Sequence, residues 1–292
     1  MQSTATSVKI STTIAETRAA VAKARAIGAR IGLVPTMGAL HAGHLSLVDR
    51  SRREADFTVM SIFVNPLQFG PGEDLARYPR PLAEDERLAS ESGVDLIFRP
   101  DVSEMYHGAR TVTVTAGALA SRWEGTSRPG HFDGVLTVVA KLFNIVQPDV
   151  AVFGQKDLQQ AALVNALVRD LDMPLRIVVS PIVREVDGVA LSSRNRYLSA
   201  GERRSATTLS RALRAISARF DAGERSTAIL EEEGKRVVAS DPGVSLDYLA
   251  VIDPETFENP DVAQPGNSAI IAARVGSTRL IDNMTLGRHD QD

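Results

Sequence analysis

Cysteine is absent from the 292 residues. That rules out a disulfide framework, a thiolate zinc centre and a cysteine nucleophile, so any chemistry must use other groups. Histidine is scarce at five, and aromatic residues make up 5%. Neither sign of charge dominates: 33 Lys and Arg stand against 36 Asp and Glu, a formal net charge of -3. Such a balance argues against a protein that coats nucleic acid or an anionic membrane, and the partners expected are small molecules. Nowhere does the chain approach the roughly 18 uninterrupted apolar residues of a membrane span. Its start, MQSTATSVKISTT, is polar and lacks the apolar segment of a secretory signal. A soluble, cytoplasmic protein is expected.

What the chain does have is material for a full core, at 43% hydrophobic, in a length that suggests one large domain and one smaller one. Thr13 and Glu16 fit a capping box that opens a helix to about Ala26. IGLVP (31–35) then reads as a buried strand, HLSLVDRSRREA as a helix and FTVMSIFV (57–64) as a second strand, which is a βαβ unit. The rhythm recurs in VDLIFRP (94–100), TVTVT (111–115), a helix over 134–146, DVAVFG (149–154), a helix over 158–171 and RIVVSPIV (176–183). This alternation predicts an α/β fold with a Rossmann-like, doubly wound parallel sheet over residues 1–182. Beyond it, Ser199 and Glu202 suggest a second capping box and a helix to about Phe220, with another helix from about Ser226. SLDYLAVI, SAIIAARV and TRLID alternate like strands of a separate small sheet. Residues 183–292 are expected to form a smaller α+β domain closing over the active site.

Two of the five histidines fall in HAGH, His41 to His44, where a strand passes through a turn at Gly38 into a helix starting near Gly43. Unpaired backbone N–H groups and the positive helix end make that a place for an anion. Three apart on the first turn, both imidazoles can reach one phosphate, and Gly43 admits a ligand close to the backbone. Surface or capping histidines are the plainer reading. A zinc site is disfavoured, because helical pairs are usually four apart and need a third ligand, and His107, His131 and His289 are scattered.

Three further stretches carry candidate groups. In FGQKDLQQ (153–160) a strand ends and a helix begins, with Lys156 placed for phosphate and Asp157 one turn from Gln160. LSSRN (191–195) offers two hydroxyls and a guanidinium as phosphate donors. FVNPLQFGPGED (63–74) has an Asn-Pro turn after a strand, with Gln68 projecting from the loop. Each alone is commonplace. Together they could surround one polyphosphate, and the residues by themselves lead no further than nucleotide chemistry.

The ordered set PTMGALHAGH, FVNPLQFGPGEDLARYPR, RPGHFDGVLTVVAKLFNIVQPDVAVFGQKDLQQ and ALSSRNRYLS resembles the pantothenate synthetase (pantoate–beta-alanine ligase) family of the wider nucleotidyltransferase superfamily, nearly end to end. The resemblance implies an ATP-dependent ligase that makes pantothenate (vitamin B5) through pantoyl adenylate, releasing pyrophosphate and then AMP. It implies that Met37, Gly38, Ala39, Leu40, His41, Ala42, Gly43 and His44 line the ATP site, with His44 as proton donor and His41 as its phosphate-binding companion. Gly154, Gln155, Lys156 and Asp157, together with Leu191, Ser192, Ser193 and Arg194, would also contact ATP, with Val183 against the adenine. Lys156 and Arg194 would offset phosphate charge, and Gln68 and Gln160 would hold pantoate. Mg²⁺ is implied as the counter-ion of ATP, with Asp85 as a candidate contact for metal or β-alanine, and a homodimer is the family's usual state. Leu191 stands where family members often have Met, and Ala42 where they often have an acid. An adenylyltransferase with another acceptor, or a nucleotide-binding regulator without catalysis, would share the phosphate residues; Gln68 and Gln160 favour the ligase.

Overall fold

The computed structural model describes residues 8–108 and 111–287; the opening MQSTATS and His289 lie outside the described residues. The chain groups into two compact units. The first runs to Ala120 and includes Ser127–Gly154 and Leu163–Ser180, while the second holds Ser121–Thr126, Gln155–Ala162 and the chain from Pro181.

In the first unit, β1 (Lys9–Ser11), β2 (Ile31–Thr36), β3 (Phe57–Ile62), β4 (Leu96–Phe98), β5 (Val150–Gly154) and β6 (Arg176–Ser180) form one sheet in the order β1-β4-β3-β2-β5-β6. Every pairing is parallel. The helices are α1 (Ile14–Ala26), α2 (Ala42–Glu54), α3 (Leu82–Glu91), α4 (Val102–Met105), α5 (Glu124–Ser127), α6 (His131–Val146) and α7 (Leu158–Asp170). The first residues of α5 and of α7 belong to the second unit.

The period of two along a strand sorts side chains between two cores. Leu33, Val59, Leu96, Phe98, Ala151 and Phe153 pack with α1, α6 and the later part of α7. Their neighbours Val34, Met60, Ile97, Val150 and Val152 pack with α2 and α3. Strands buried on both faces read as continuous apolar runs, as these do. The order reverses direction between the paired strands β2 and β5, and in open α/β sheets ligands bind outside the carboxyl ends of the strands at such a point. Thr36 and Gly154 mark those ends.

Both capping boxes form: Thr13 with Glu16 at α1, and Ser199 with Glu202 at the helix Ala200–Asp221. TVTVT does not form a strand. Val114 N–H donates to Thr137 Oγ1 and Ala116 N–H to Asp133 Oδ1, so α6 side chains take the bonds a neighbouring strand would have taken. Strand β6 stops at Ser180 rather than reaching Val183, because Pro181 has no N–H to continue the ladder. Unforeseen β1 pairs with β4 at the sheet edge, its Ser11 hydroxyl bonded to Thr17.

The second unit contains α8 (Ala200–Asp221), α9 (Thr227–Ala239) and the antiparallel strands β7 (Val244–Ile252), β8 (Ser268–Val275) and β9 (Thr278–Thr285). One sheet face buries Leu249, Val251, Ile271, Ala273 and Leu280 against Leu209, Leu213, Ile216 and Phe220 of α8 and Leu230 of α9. Residues 121–126 are strapped to this unit. The Trp123 ring lies 5.6 Å from that of Tyr248 and its indole N–H donates to Phe257 O, while Arg279 binds both oxygens of Glu124. Gln159 accepts from Glu124 N–H and donates to Arg122 O.

Candidate active site

After β2 the chain turns through Gly38 (φ +81°) and Ala39 (φ +51°) before entering α2. A non-glycine residue in the left-handed region is strained and persists only when its surroundings hold it. Asp85 does the holding. Its Oδ2 accepts from Ala39 N–H at 2.9 Å and its Oδ1 from Leu40 N–H at 2.7 Å, with the side chain 1% exposed. The preceding link is Thr36 Oγ1, which donates to Ser61 O and accepts from Gly38 N–H. Asp85, expected as a metal or β-alanine contact, is thus found committed to the backbone of the turn.

His41 is the N-cap of α2 in extended conformation; its side chain makes no capping bond, and its carbonyl accepts from His44 N–H at 2.8 Å. The His41 and His44 rings sit 4.1 Å apart, tilted by 34°, as expected for the N-cap and third residue of one turn. Ala42 is exposed and Gly43 half-buried.

Gln68 sits on a 3₁₀ turn (Pro66–Gln68) and is buried, not projecting from a loop. Its Nε2 points at Met37 Sδ, 3.1 Å away, and its Oε1 accepts from Asn65 Nδ2. Asn65, 1% exposed, also donates to Gly134 O and accepts from Tyr106 OH at 2.7 Å and from Leu67 N–H. This fixes which end of the Gln68 amide is the donor. Gly134 is required here: a Cβ on it would lie 2.2 Å from Leu67 O and 2.7 Å from Gln68 N.

A second anchor grips the same turn. Arg128 binds Glu73 through both oxygens and donates to Gln68 O, and His131 Nδ1 lies 2.8 Å from that same carbonyl. Guanidinium N–H groups only donate, so His131 Nε2, 3.0 Å from Arg128, accepts. His131 Nδ1 then carries the proton that Gln68 O receives, a neutral tautomer set by its two neighbours.

In the second unit Gln155–Asp157 form a 3₁₀ turn ahead of α7. Asn283 of β9 donates to Gln155 O and Lys156 O, and Gln155 Nε2 reaches Asn283 Oδ1 and Thr285 Oγ1. Lys156 Nζ lies 3.5 Å from Asp157, and Gln160 is half-buried within α7. Val183 O accepts from Leu191 N–H, closing a short ladder with the Arg184–Ala190 bridge. Ser192 caps the 3₁₀ turn Ser193–Tyr197 by accepting from Arg194 N–H. Buried beneath, Asp282 pairs through both oxygens with Arg184; burial pushes its carboxyl above the usual carboxylate range, while the guanidinium opposes that shift.

Met37, Gln68 and the turn before His41 are therefore brought together in the first unit, and Gln155, Lys156, Val183 and Ser192–Arg194 belong to the second. Asn65, Tyr106, Arg128, His131 and Gly134, and in the second unit Asn283, Asp282 and Arg184, escaped the reading of the sequence. Asn65 stood in the quoted Asn-Pro turn, and Arg128, His131 and Gly134 in RPGHFDG; nothing local singled out Asn283.

A parallel α/β sheet with a histidine-bearing helix start at its switch point defines a nucleotide-handling enzyme of the doubly wound class. A family model described as pantoate-beta-alanine ligase matches residues 9–285. The chain is 54% identical over 286 residues to a pantothenate synthetase of Acidobacterium capsulatum, covering 94% of this chain and 96% of that one. It is 50% identical over 278 residues to one from Moorella thermoacetica, with 95% and 98% covered. The crystal structure of pantothenate synthetase from Thermus thermophilus superposes with a TM-score of 0.91 at 48% identity, covering 95% of this chain and 99% of that one. A Francisella tularensis pantoate-beta-alanine ligase, solved with beta-gamma ATP and beta-alanine, gives 0.79 at 32% identity, with 95% and 97% covered. The chain belongs to the pantoate-beta-alanine ligase family. It is an ATP-dependent enzyme that joins pantoate to β-alanine, as the residue-level resemblance led us to expect.

Proposed function

We propose that the ligation proceeds in two steps through pantoyl adenylate. In the first, a pantoate carboxylate oxygen attacks the α-phosphorus of ATP; a P–O bond forms, the bond to the β-phosphate oxygen breaks and pyrophosphate leaves. In the second, the β-alanine nitrogen attacks the activated carbonyl, a C–N bond forms, the C–O bond to AMP breaks and the nitrogen loses its proton. Neither step needs an enzyme nucleophile, so the work is positioning and charge stabilisation.

The observation that carries this reading is the His41–His44 pair, 4.1 Å apart at the start of a 13-residue helix whose N-cap side chain makes no capping bond. His44 is assigned the proton donated toward the leaving phosphate oxygen, and His41 a hydrogen bond to phosphate. Met37–Leu40 supply backbone around the nucleotide. Lys156 and Arg194 carry positive charge to phosphate, Ser192 and Ser193 donate hydroxyls, and Gly154, Gln155, Asp157 and Leu191 line the nucleotide, with Val183 against adenine. Gln68 and Gln160 bind pantoate, and the Asn65 contact orients the Gln68 amide so that its N–H₂ faces the substrate. The substrate form of the nucleotide is MgATP: a magnesium ion keeps several waters and binds through phosphates, so it arrives with ATP rather than in a protein cage. No helix among the described residues is long and apolar enough to cross a membrane. We assign the enzyme to the cytoplasm as a homodimer, on the strength of its family resemblance.

The test is ATP–pyrophosphate exchange with Mg²⁺, with and without pantoate, in the absence of β-alanine. Pantoate-dependent exchange is expected, and His44→Ala should lower its kcat by about 10²-fold or more, the scale of a lost charge-stabilising group, while the urea midpoint stays put. Net ligation without any exchange would overturn the adenylate route; an unimpaired His44→Ala would overturn the role of that side chain.

A further inference from the structure

Strand β9 carries two adjacent buried polar residues, Asp282 at 4% exposure and Asn283 at 2%. Pleating sends successive side chains to opposite faces, so one strand can serve two separate loops. Asn283 Nδ2 lies 2.9 Å from Gln155 O and 3.0 Å from Lys156 O, and its Oδ1 accepts from Gln155 Nε2 at 3.3 Å. Two carbonyls need donors and the Gln155 amide needs an acceptor; a primary carboxamide supplies both from one group, whereas a carboxylate, an ammonium or an apolar side chain does not. Asp282 binds Arg184 at 2.6 and 3.0 Å, and Arg184 also donates to Asn283 O and Gly188 O. Arg184 directly follows Val183. A buried ion pair contributes little net stability compared with apolar packing, so the geometry it imposes is the more economical reason for its place.

We propose that Asn283, backed by the Asp282–Arg184 pair, is a positioning residue for the nucleotide. It fixes the peptide on either side of Lys156, and with it the direction in which the Lys156 ammonium is presented, and it registers that turn against the segment that carries Val183 and Arg184. This rests on the reading that Lys156 meets ATP phosphate. Asn283 touches no substrate; it acts through Lys156.

The experiment is pantoate-dependent ATP–pyrophosphate exchange on the full chain, with ATP and pantoate varied separately, for Lys156→Ala, Asn283→Ala, Asn283→Asp and the Asn283→Ala/Lys156→Ala double variant. Asn283→Ala and Asn283→Asp should each lower kcat/KM for ATP by about tenfold, as for a lost positioning interaction, while KM for pantoate stays within about twofold. The double variant should be no worse than Lys156→Ala alone, since a group acting through Lys156 has nothing left to position. An impaired Lys156→Ala beside Asn283 variants that keep kcat/KM for ATP would overturn the positioning role and leave the ATP reading intact. Losses that multiply in the double variant, or a matching rise in KM for pantoate, would show that Asn283 acts generally on the fold and refute it too. An unimpaired Lys156→Ala would instead sink the ATP reading, and this inference with it. Should Asn283→Ala fail to fold, the near-isosteric Asn283→Asp carries the same expectation, because it keeps the volume while replacing the donor N–H₂ with a charged acceptor oxygen that neither carbonyl can bond.

Discussion

Replacing Asp85 with Asn changes almost no volume, yet it strikes the group that holds Ala39 and Leu40 ahead of His41. The carboxylate offers an oxygen to each of two buried amides, Leu40 at 2.7 Å and Ala39 at 2.9 Å. Asparagine keeps one acceptor and turns an N–H₂ toward the other amide. The retained bond loses its charge assistance, worth about 1 kcal/mol, and the stranded donor costs about 1–3 kcal/mol, for a total near 3 kcal/mol. Release of Ala39 from its left-handed conformation (φ +51°) would relieve part of this loss and move the His41–His44 pair away from its working geometry. The expected result is a urea midpoint lower by about 1 M, for a slope of about 3 kcal/mol per molar. Exchange activity should fall about tenfold, the equivalent of 1.4 kcal/mol of misplacement in the transition state. Circular dichroism across a urea titration and the exchange assay measure the two effects on one preparation. A variant as stable as the parent, impaired only once β-alanine is added, would refute the clamp and return Asp85 to a substrate or metal contact.

Gly134→Ala should push the Pro66–Gln68 turn outward, since its Cβ would meet Leu67 O at 2.2 Å; a loss of about 1–3 kcal/mol is expected, with KM for pantoate rising and KM for ATP unchanged, and steady-state kinetics on both substrates check it. The Asp241 carboxyl is held below its ordinary 3.8 first by the Gly243 amide and also by Thr208 and Ser205 hydroxyls, against the opposing effect of burial. A depressed carboxyl contributes stability that is present above the unfolded value and lost as pH falls through the folded one. The gap in urea midpoint between the parent and Asp241→Asn should therefore stay constant at neutral pH and close below about pH 4, and a gap that persists in acid would contradict the assignment.

Legibility in the sequence followed how local each cause was. The capping boxes, the continuous apolar strands and the three amphipathic strands of the second unit were visible because their patterns sit within a few residues. TVTVT misled for the complementary reason: its alternation is that of a strand, but whether a strand forms depends on a partner, and Thr137 takes the Val114 amide while Asp133 takes that of the following Ala116. Strand β1 was missed because three residues in a Ser/Thr-rich stretch carry almost no periodic signal, and pairing with β4 alone makes them a strand. Of the candidate site, His41, His44, Lys156 and Gln68 could be picked out as residues of short motifs that follow strands, and their roles are proposals. The residues that orient them were not, for Asp85 lies 45 positions from Leu40 and Asn283 127 from Lys156, separations across which no spacing rule operates.

The chain's single tryptophan, Trp123, rests on Tyr248 with its indole N–H on Phe257 O, inside the strap that Gln159 ties at Arg122 O and Glu124 N–H. Gln159 stands two residues past Asp157, at the end of the turn assigned to ATP. Tryptophan emission of this enzyme is therefore a one-indole signal from a known address: it needs no label, it carries no contribution from other indoles, and a spectral shift on adding nucleotide reports the neighbourhood of that turn in real time.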